Sequence, residues 1–224
     1  MDKHTEIIYL NLLKQLNSFW NTQNEESNIL LKEKYFFRAL ERASICIQST
    51  HSKYAQTGKL NSLNTTQYAI FLYYLSNLTG VGGNRVLADK IYYLNKIMHS
   101  VDWYWEIQLP NHFHAEHPLG SVLGRATYGD YLMVYQGTTV GGNFNGKGVK
   151  YPIFGNYIIL YTNATILGNC KVGNKVVFSA NCFVKDESIQ DNCIVSGSSP
   201  NLVIRRLPEE KINNYFKSIW DIEE

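Results

Sequence analysis

Between Val122 and Val184 the chain repeats a unit of six residues. Large apolar residues stand at Val122, Tyr128, Val134 and Val140, then, after a gap, at Phe154, Leu160, Ile166, Val172, Phe178 and Val184. The fifth place of the unit is mostly small or β-branched: Ala126, Thr138, Ala164, Cys170, Val176, Cys182 and Ser188. No α-helix has a period of six. A fixed short period implies stacked coils, each burying its apolar residue on the coil below. Six residues make one short strand and a corner, and three such sides close a triangle. The repeat therefore predicts a left-handed parallel β-helix of hexapeptide units over residues 101–206.

Residues 1–100 carry a different period. Tyr9, Leu12, Leu13, Leu16, Phe19 and Trp20 recur at three- and four-residue spacing, as on one face of a helix. A polar break at Asn21–Asn28 precedes a second helix expected from about Ile29 to Gln48. A loop is expected from His51 to Leu63. Thr65 or Thr66 is placed to cap a third helix through Leu78, and a fourth runs to about Met98. The fold class is thus α+β, with an N-terminal α-helical domain followed by the β-helix and a C-terminal tail over 207–224. The tail reads as one short helix whose Lys211, Phe216 and Trp220 spacing permits packing on the coils.

Composition narrows the function. The formal charge of the 224 residues is only +2, without the concentrated basic face that nucleic-acid binding needs. Cys46, Cys170, Cys182 and Cys193 form no C-x-x-C pair and read as buried thiols. The N-terminal apolar stretch is interrupted by Asn11 and Lys14 and makes a poor signal peptide. The apolar run Ala69–Leu75 falls far short of the roughly 20 residues that span a bilayer. A soluble cytoplasmic protein with no membrane span is expected. The glycines at 80–83 follow a helix and lack a Walker lysine, so they read as a helix–helix turn rather than a phosphate loop.

Two segments stand out between these patterns. Residues 101–121 are rich in aromatics and histidine: Trp103, Tyr104, Trp105, His112, Phe113, His114 and His117. Residues 141–152 hold four glycines and a proline and interrupt the six-residue count, as a loop protruding from the coil would. His112 and His114 alternate as two residues on one strand face would, which admits a metal reading, but no third ligand beyond His117 is evident.

The helical first half, the β-helix second half and a Gly-Gly loop between coils together resemble serine O-acetyltransferases. That family's His-Ala-Thr-Gly-x-x-x-Gly segment is similar to His117-Pro118-Leu119-Gly120-Ser121-Val122-Leu123-Gly124. Its Val-Thr-Leu-Gly-Gly loop entry is similar to Thr138-Thr139-Val140-Gly141-Gly142. Its Ile-Leu-Gly-Asn stands here as Ile166-Leu167-Gly168-Asn169. The resemblance covers residues 102–206; over 1–100 it is architectural.

The resemblance implies acetyl transfer from acetyl-CoA to a hydroxyl, with His117 as general base, no resident metal and no covalent acyl-enzyme. Its orienting carboxylate falls at Asp102, with Glu116 and Glu106 as alternatives. The CoA path falls on Thr162, Asn163, Ser179 and Ala180, with Gly142 near the oxyanion and Lys185, Arg205 and Arg206 available for the phosphates. The resemblance also implies a homotrimer, or a hexamer of two trimers. Where the family has Arg-His-Pro in its loop, this chain has Lys150-Tyr151-Pro152. Lysine lacks the bidentate fork that suits a carboxylate, and tyrosine is no base near neutral pH. Lys150, Tyr151 and Trp105, with Trp103 and Phe113, therefore suggest a carbohydrate acceptor, such as a surface polysaccharide or its precursor. Alternatives are serine O-acetylation in cysteine biosynthesis, N-acylation of an amino sugar, and a non-enzymatic trimeric scaffold.

Overall fold

The computed structural model describes residues 2–20, 31–51 and 59–221. The expected polar break at 21–28, the start of the second helix and most of the 51–63 loop lie outside the described residues. Among the described residues, four α-helices precede the coil: α1 (Lys3–Phe19), α2 (Phe37–Gln48), α3 (Thr65–Val81) and α4 (Arg85–His99), with a π-helical turn at Leu31–Phe36 leading into α2. α3 is buried along nearly its whole length because its residues are apolar on every side. Its cap is Asn64 rather than Thr65 or Thr66: the Asn64 side chain accepts from the Gln67 N–H at 3.1 Å. Gly82 and Gly83 make the turn into α4, Gly83 at φ 95°.

From Asp102 onward the chain winds into a left-handed parallel β-helix. One face stacks β1 (Asp102–Trp103), β3 (Val122–Leu123), β5 (Thr139–Gly141), β10 (Thr165–Leu167) and β13 (Phe183–Lys185). The second stacks β2 (Phe113–Glu116), β4 (Leu132–Tyr135), β9 (Ile158–Leu160), β12 (Val176–Phe178) and β15 (Cys193–Ser198). The third stacks β8 (Ile153–Phe154), β11 (Lys171–Val172) and β14 (Ser188–Ile189). Thr165 pairs with Phe183, eighteen residues on, which is three units of six. Thr139 pairs with Thr165, twenty-six residues on. The extra eight residues protrude as the hairpin of β6 (Asn143–Phe144) and β7 (Val149–Lys150).

Tyr128, Val134, Val140, Phe154, Leu160, Ile166, Val172, Phe178 and Val184 point inward and are buried. Val122 does not: it is 39 % exposed, and Leu123 takes the inward place at 1 %. The reason is a coil one residue short, in which Leu123 pairs with Val140 only seventeen residues on. A one-residue slip turns every side chain to the other side of a strand. The same slip at the last coil pairs Lys171 with Ser188, so Ser188 is exposed and Ile189 is buried. The four cysteines are free and buried.

The corners adopt left-handed backbone. One edge carries Gly120, Gly137, Asn163 and Asn181, all at φ between 59° and 72°. These are residues that tolerate that conformation. Another carries Tyr131, Tyr157, Lys175 and Asn192. There the ring of His112 stacks on Tyr131, and Tyr131 on Tyr157, at 4.4 Å and 5° in both pairs.

After β16 (Asn201–Arg206), antiparallel to β15, the helix α5 (Glu209–Lys217) returns along the outside of the second face. Ile212, Phe216, Ile219 and Trp220 cover Met133, Ile159 and Val177. Trp220 sits edge-on to Tyr131 and Phe216 edge-on to Tyr157. The end of the tail bonds the helical half: His51 N–H donates to the Ile219 carbonyl at 2.7 Å and Asp221 N–H to Ser49 at 3.0 Å.

His99, at the end of α4, is buried with Nδ1 2.8 Å from Asn95 Oδ1. Burial holds its imidazole down at about 4, against an ordinary 6.5, despite the Asn95 bond that favours charge. The folded protein therefore resists protonation that the unfolded chain accepts. This contribution is complete above pH 6.5 and is lost as pH falls toward 4, up to about 3 kcal/mol. Chemical denaturation between pH 7 and 4 is expected to lose less stability in His99→Gln than in the parent chain.

Candidate active site

β2 runs outward residues His114 and Glu116 up to the corner, and His117 makes the turn itself at φ 47°. The left-handed backbone here is that of the coil's other corners; what sets this one apart is the exposed imidazole it carries. Pro118, Leu119 and Gly120 complete it, anchored by Gly120 N–H to Ser100 O at 2.9 Å and Gly137 N–H to Leu119 O at 2.9 Å. The His117 side chain is 75 % exposed, and its Nε2 lies 3.4 Å from Glu116 Oε1. Glu116 Oε2 lies 3.4 Å from His114 Nε2, and the His114 side chain is only 5 % exposed.

Asp102 is not the partner of His117 in this chain. Its carboxylate accepts from the Tyr92 hydroxyl at 2.7 Å and from Lys96 Nζ at 2.6 Å. Burial alone pushes this carboxyl up, but the Lys96 and Tyr92 hydrogen bonds and the lysine charge outweigh it, so it ionises below its ordinary value. Glu106 is also committed, to Arg85 at 2.8 Å and Arg125 at 3.1 Å. The family resemblance points to Asp102 but carries no sign of Tyr92 and Lys96, which arrive on α4. Of the three expected carboxylates, Glu116 is the one beside the imidazole.

Of the expected CoA residues, Thr162, Asn163, Ser179 and Ala180 share the edge that His117 heads, whereas Gly142, Lys185, Arg205 and Arg206 do not. Gly137 bonds Leu119, Asn163 N–H bonds Gln136 O at 2.9 Å, and Asn181 N–H bonds Thr162 O at 2.8 Å. Thr162 and Asn163, then Ser179, Ala180 and Asn181, thus descend below His117 coil by coil. Asn163 Nδ2 donates to Asn181 Oδ1 at 3.0 Å. Gly142, Lys150 and Tyr151 belong to the hairpin, which leaves from the far end of β5. A side chain at Gly142 would meet Tyr151 and Val149 at under 3 Å, so glycine lets the hairpin fold back there. The Tyr151 hydroxyl faces the Arg125 guanidinium. Lys185 closes β13 on the same far edge, its N–H bonded to Ser199 Oγ at 3.0 Å. Arg205 and Arg206 are exposed on β16. The first face of the coil therefore separates the His117 edge from the hairpin within one chain.

Trp105, expected at an acceptor rim, is buried in the junction. Its ring lies against Gly80, where a Cβ would come within 2.2 Å, and its Nε1 donates to Asp89 at 2.7 Å. Trp103 is buried with Nε1 on Ser121 Oγ at 2.9 Å, and Phe113 packs edge-on to it. An indole with an internal hydrogen-bond partner is satisfied in a core, and large aromatics seal such seams well. His112 Nδ1 pairs with Asp130 Oδ2 at 2.7 Å, so it and His114 serve separate partners. Among the described residues no group of three His, Cys, Asp or Glu side chains is placed to hold a metal. Nor is any described helix long and apolar enough to cross a membrane.

The serine acetyltransferase of Synechococcus elongatus is 27 % identical over 121 residues, 54 % of this chain and 49 % of that protein. The chain is similar to serine acetyltransferases. It spans about half the length of the curated relatives it matches. No family model matches it. The crystal structure of the Neisseria gonorrhoeae serine acetyltransferase superposes with a TM-score of 0.75 at 17 % identity, covering 96 % of this chain and 84 % of that one. A serine acetyltransferase in complex with CoA superposes at 0.66 and 18 % identity, over 84 % and 81 %. At these identities the structural likeness establishes the shared fold.

Because Trp105 is packed in the junction, Trp105→Ala is expected to cost about 3–5 kcal/mol of stability. Denaturant unfolding checks this; a tryptophan serving only an acceptor would leave the transition in place.

Proposed function

We propose that this chain transfers an acetyl group from acetyl-CoA to the hydroxyl of serine or a closely related small hydroxy acid. The observation that carries the proposal is the exposed His117 imidazole beside the Glu116 carboxylate, at the head of a corner column lined by Thr162, Asn163, Ser179 and Ala180. The serine acetyltransferases among its relatives favour serine as acceptor. The carbohydrate reading drew on an aromatic rim, and Trp103, Trp105 and Phe113 are in the core, leaving Tyr151 at the surface.

His117 presents Nε2 to Glu116. Held there as N–H, it leaves the lone pair on Nδ1, which takes the acceptor's hydroxyl proton as the oxygen attacks the thioester carbonyl. The negative charge of Glu116 stabilises the imidazolium that results. The tetrahedral intermediate collapses, the carbon–sulfur bond breaks, and the imidazolium returns its proton to the departing CoA thiolate. The acetyl-CoA donor is a second substrate, consumed in each turnover. Lys150 and Tyr151 stand across the first face from His117, so the proposed complete site joins the His117 edge of one copy to the hairpin of another. A homotrimer satisfies this geometry.

Release of CoA thiol is expected with L-serine and not with sugars or nucleotide sugars. His117→Ala is expected to lower it by a factor on the order of 10²–10⁴ while the oligomer persists by light scattering. Undiminished turnover in that variant would sink the mechanism, and thiol release with sugars alone would reinstate the carbohydrate reading. A chain that binds no CoA by calorimetry would instead be a scaffold.

A further inference from the structure

On the outer surface of the second face, parallel pairing lines up one residue from each coil. His114 pairs with Met133, Met133 with Ile159, Ile159 with Val177, and Val177 with Ile194. Four of these five places are apolar, and α5 covers the middle three. A buried imidazole in such a stripe costs free energy unless its polar atoms are bonded. Apolar packing alone gives no reason for histidine here, where leucine or methionine would continue the stripe.

The reason lies two residues along the strand. Residues i and i+2 share a strand face, so His114 and Glu116 project together. His114 Nε2 is 3.4 Å from Glu116 Oε2. The other oxygen of the same carboxylate, Oε1, is 3.4 Å from His117 Nε2. One carboxylate thus bridges a buried imidazole and an exposed one.

We propose that His114 is a positioning residue that holds Glu116 toward His117, an inference resting on the reading of His117 as general base. A glutamate side chain has three rotatable bonds and loses entropy when fixed. With the hydrogen on Nε2, neutral His114 donates to Oε2, so the free rotation of the carboxylate is arrested with Oε1 on the His117 side. Glu116 in turn fixes the His117 ring orientation and tautomer. His114 takes no proton during turnover: the proton moves from acceptor to His117 to the CoA thiolate. His114 acts on the rate through Glu116 alone, since its side chain is almost wholly buried.

The test uses the full chain, with kcat and both KM values measured for L-serine and acetyl-CoA. His114→Leu, which continues the apolar stripe, is expected to lower kcat about tenfold with both KM values within about twofold. His114→Gln, which keeps an N–H donor, is expected to regain most of that rate. In a Glu116→Gln background, His114→Leu is expected to cost nothing further, because the two residues act as one unit. Wild-type kcat in His114→Leu, no rescue by glutamine, or an equal loss in the Glu116→Gln background would each overturn the proposal. Should the leucine variant fail to fold, His114→Met, matching Met133, is read the same way. Loss of the fold in all three variants would assign His114 to packing and overturn it too. An inactive parent chain, or a fully active His117→Ala, would defeat the reading of His117 itself; a dead His117→Ala beside a fully active His114→Leu defeats only this inference.

Discussion

Parallel hydrogen bonding between coils eighteen residues apart is the constraint on which the rest of the molecule depends. Each coil donates and accepts through its backbone to the coil above and below. That ladder fixes which side chains lie inward, and the inward residues form continuous apolar columns such as Leu160 over Phe178. The same register makes columns of the corners. A residue's chemistry is then set by its column as much as by its own identity. Asn163 and Asn181 bond each other because they occupy equivalent corners, and His112, Tyr131 and Tyr157 stack for the same reason.

The outward surfaces are less uniform, and one of them joins the two halves. The second face presents Met133, Ile159 and Val177, which would be exposed apolar area on a bare coil. The tail helix α5 buries them, and its last residues bond Ser49 and His51. From the other side α3 grips the junction: Tyr73 donates to Ile107 O at 2.7 Å and Asn77 to Trp105 O at 2.7 Å. Each polar group that α3 buries here finds a backbone partner, as a buried polar group must. Helices, junction and coil are therefore joined through one nearly continuous set of buried contacts.

The coil was legible because a period of six is incompatible with a helix and repeats often enough to average out exceptions. Nine of the ten expected inward residues are inward. The exception, Val122, follows from a coil short by one residue, a change that composition cannot reveal because Val122 and Leu123 are both apolar. The aromatic junction was harder. Trp105 has the same residue type whether it lines a site or a seam, and what decides is Gly80 opposite it and Asp89 at its nitrogen, sixteen or more residues away. In the tail, Phe216 packs from α5 as its spacing suggests, but Lys211 is exposed with Ile212 buried in its stead, and Trp220 lies beyond the helix end; its attachment to Ser49 and His51 is a long-range pairing with no local signal.

Choice among the three carboxylates shows how the helical half bears on the proposed chemistry. An acid stabilises a neighbouring imidazolium with whatever charge its other partners leave it. Asp102 faces a full ammonium at 2.6 Å, and Glu106 faces two guanidinium groups. Lys96 and Arg85 come from α4, so that helix neutralises the acids nearest to it. Glu116, at the end of a coil strand, is approached instead by two imidazoles, at 3.4 Å each. An imidazole that stays neutral orients a carboxylate without cancelling its charge, whereas a lysine in the same place would cancel it. A neutral histidine at position 114 would meet both demands of the proposed site: it donates to one Glu116 oxygen and leaves the carboxylate charge for His117.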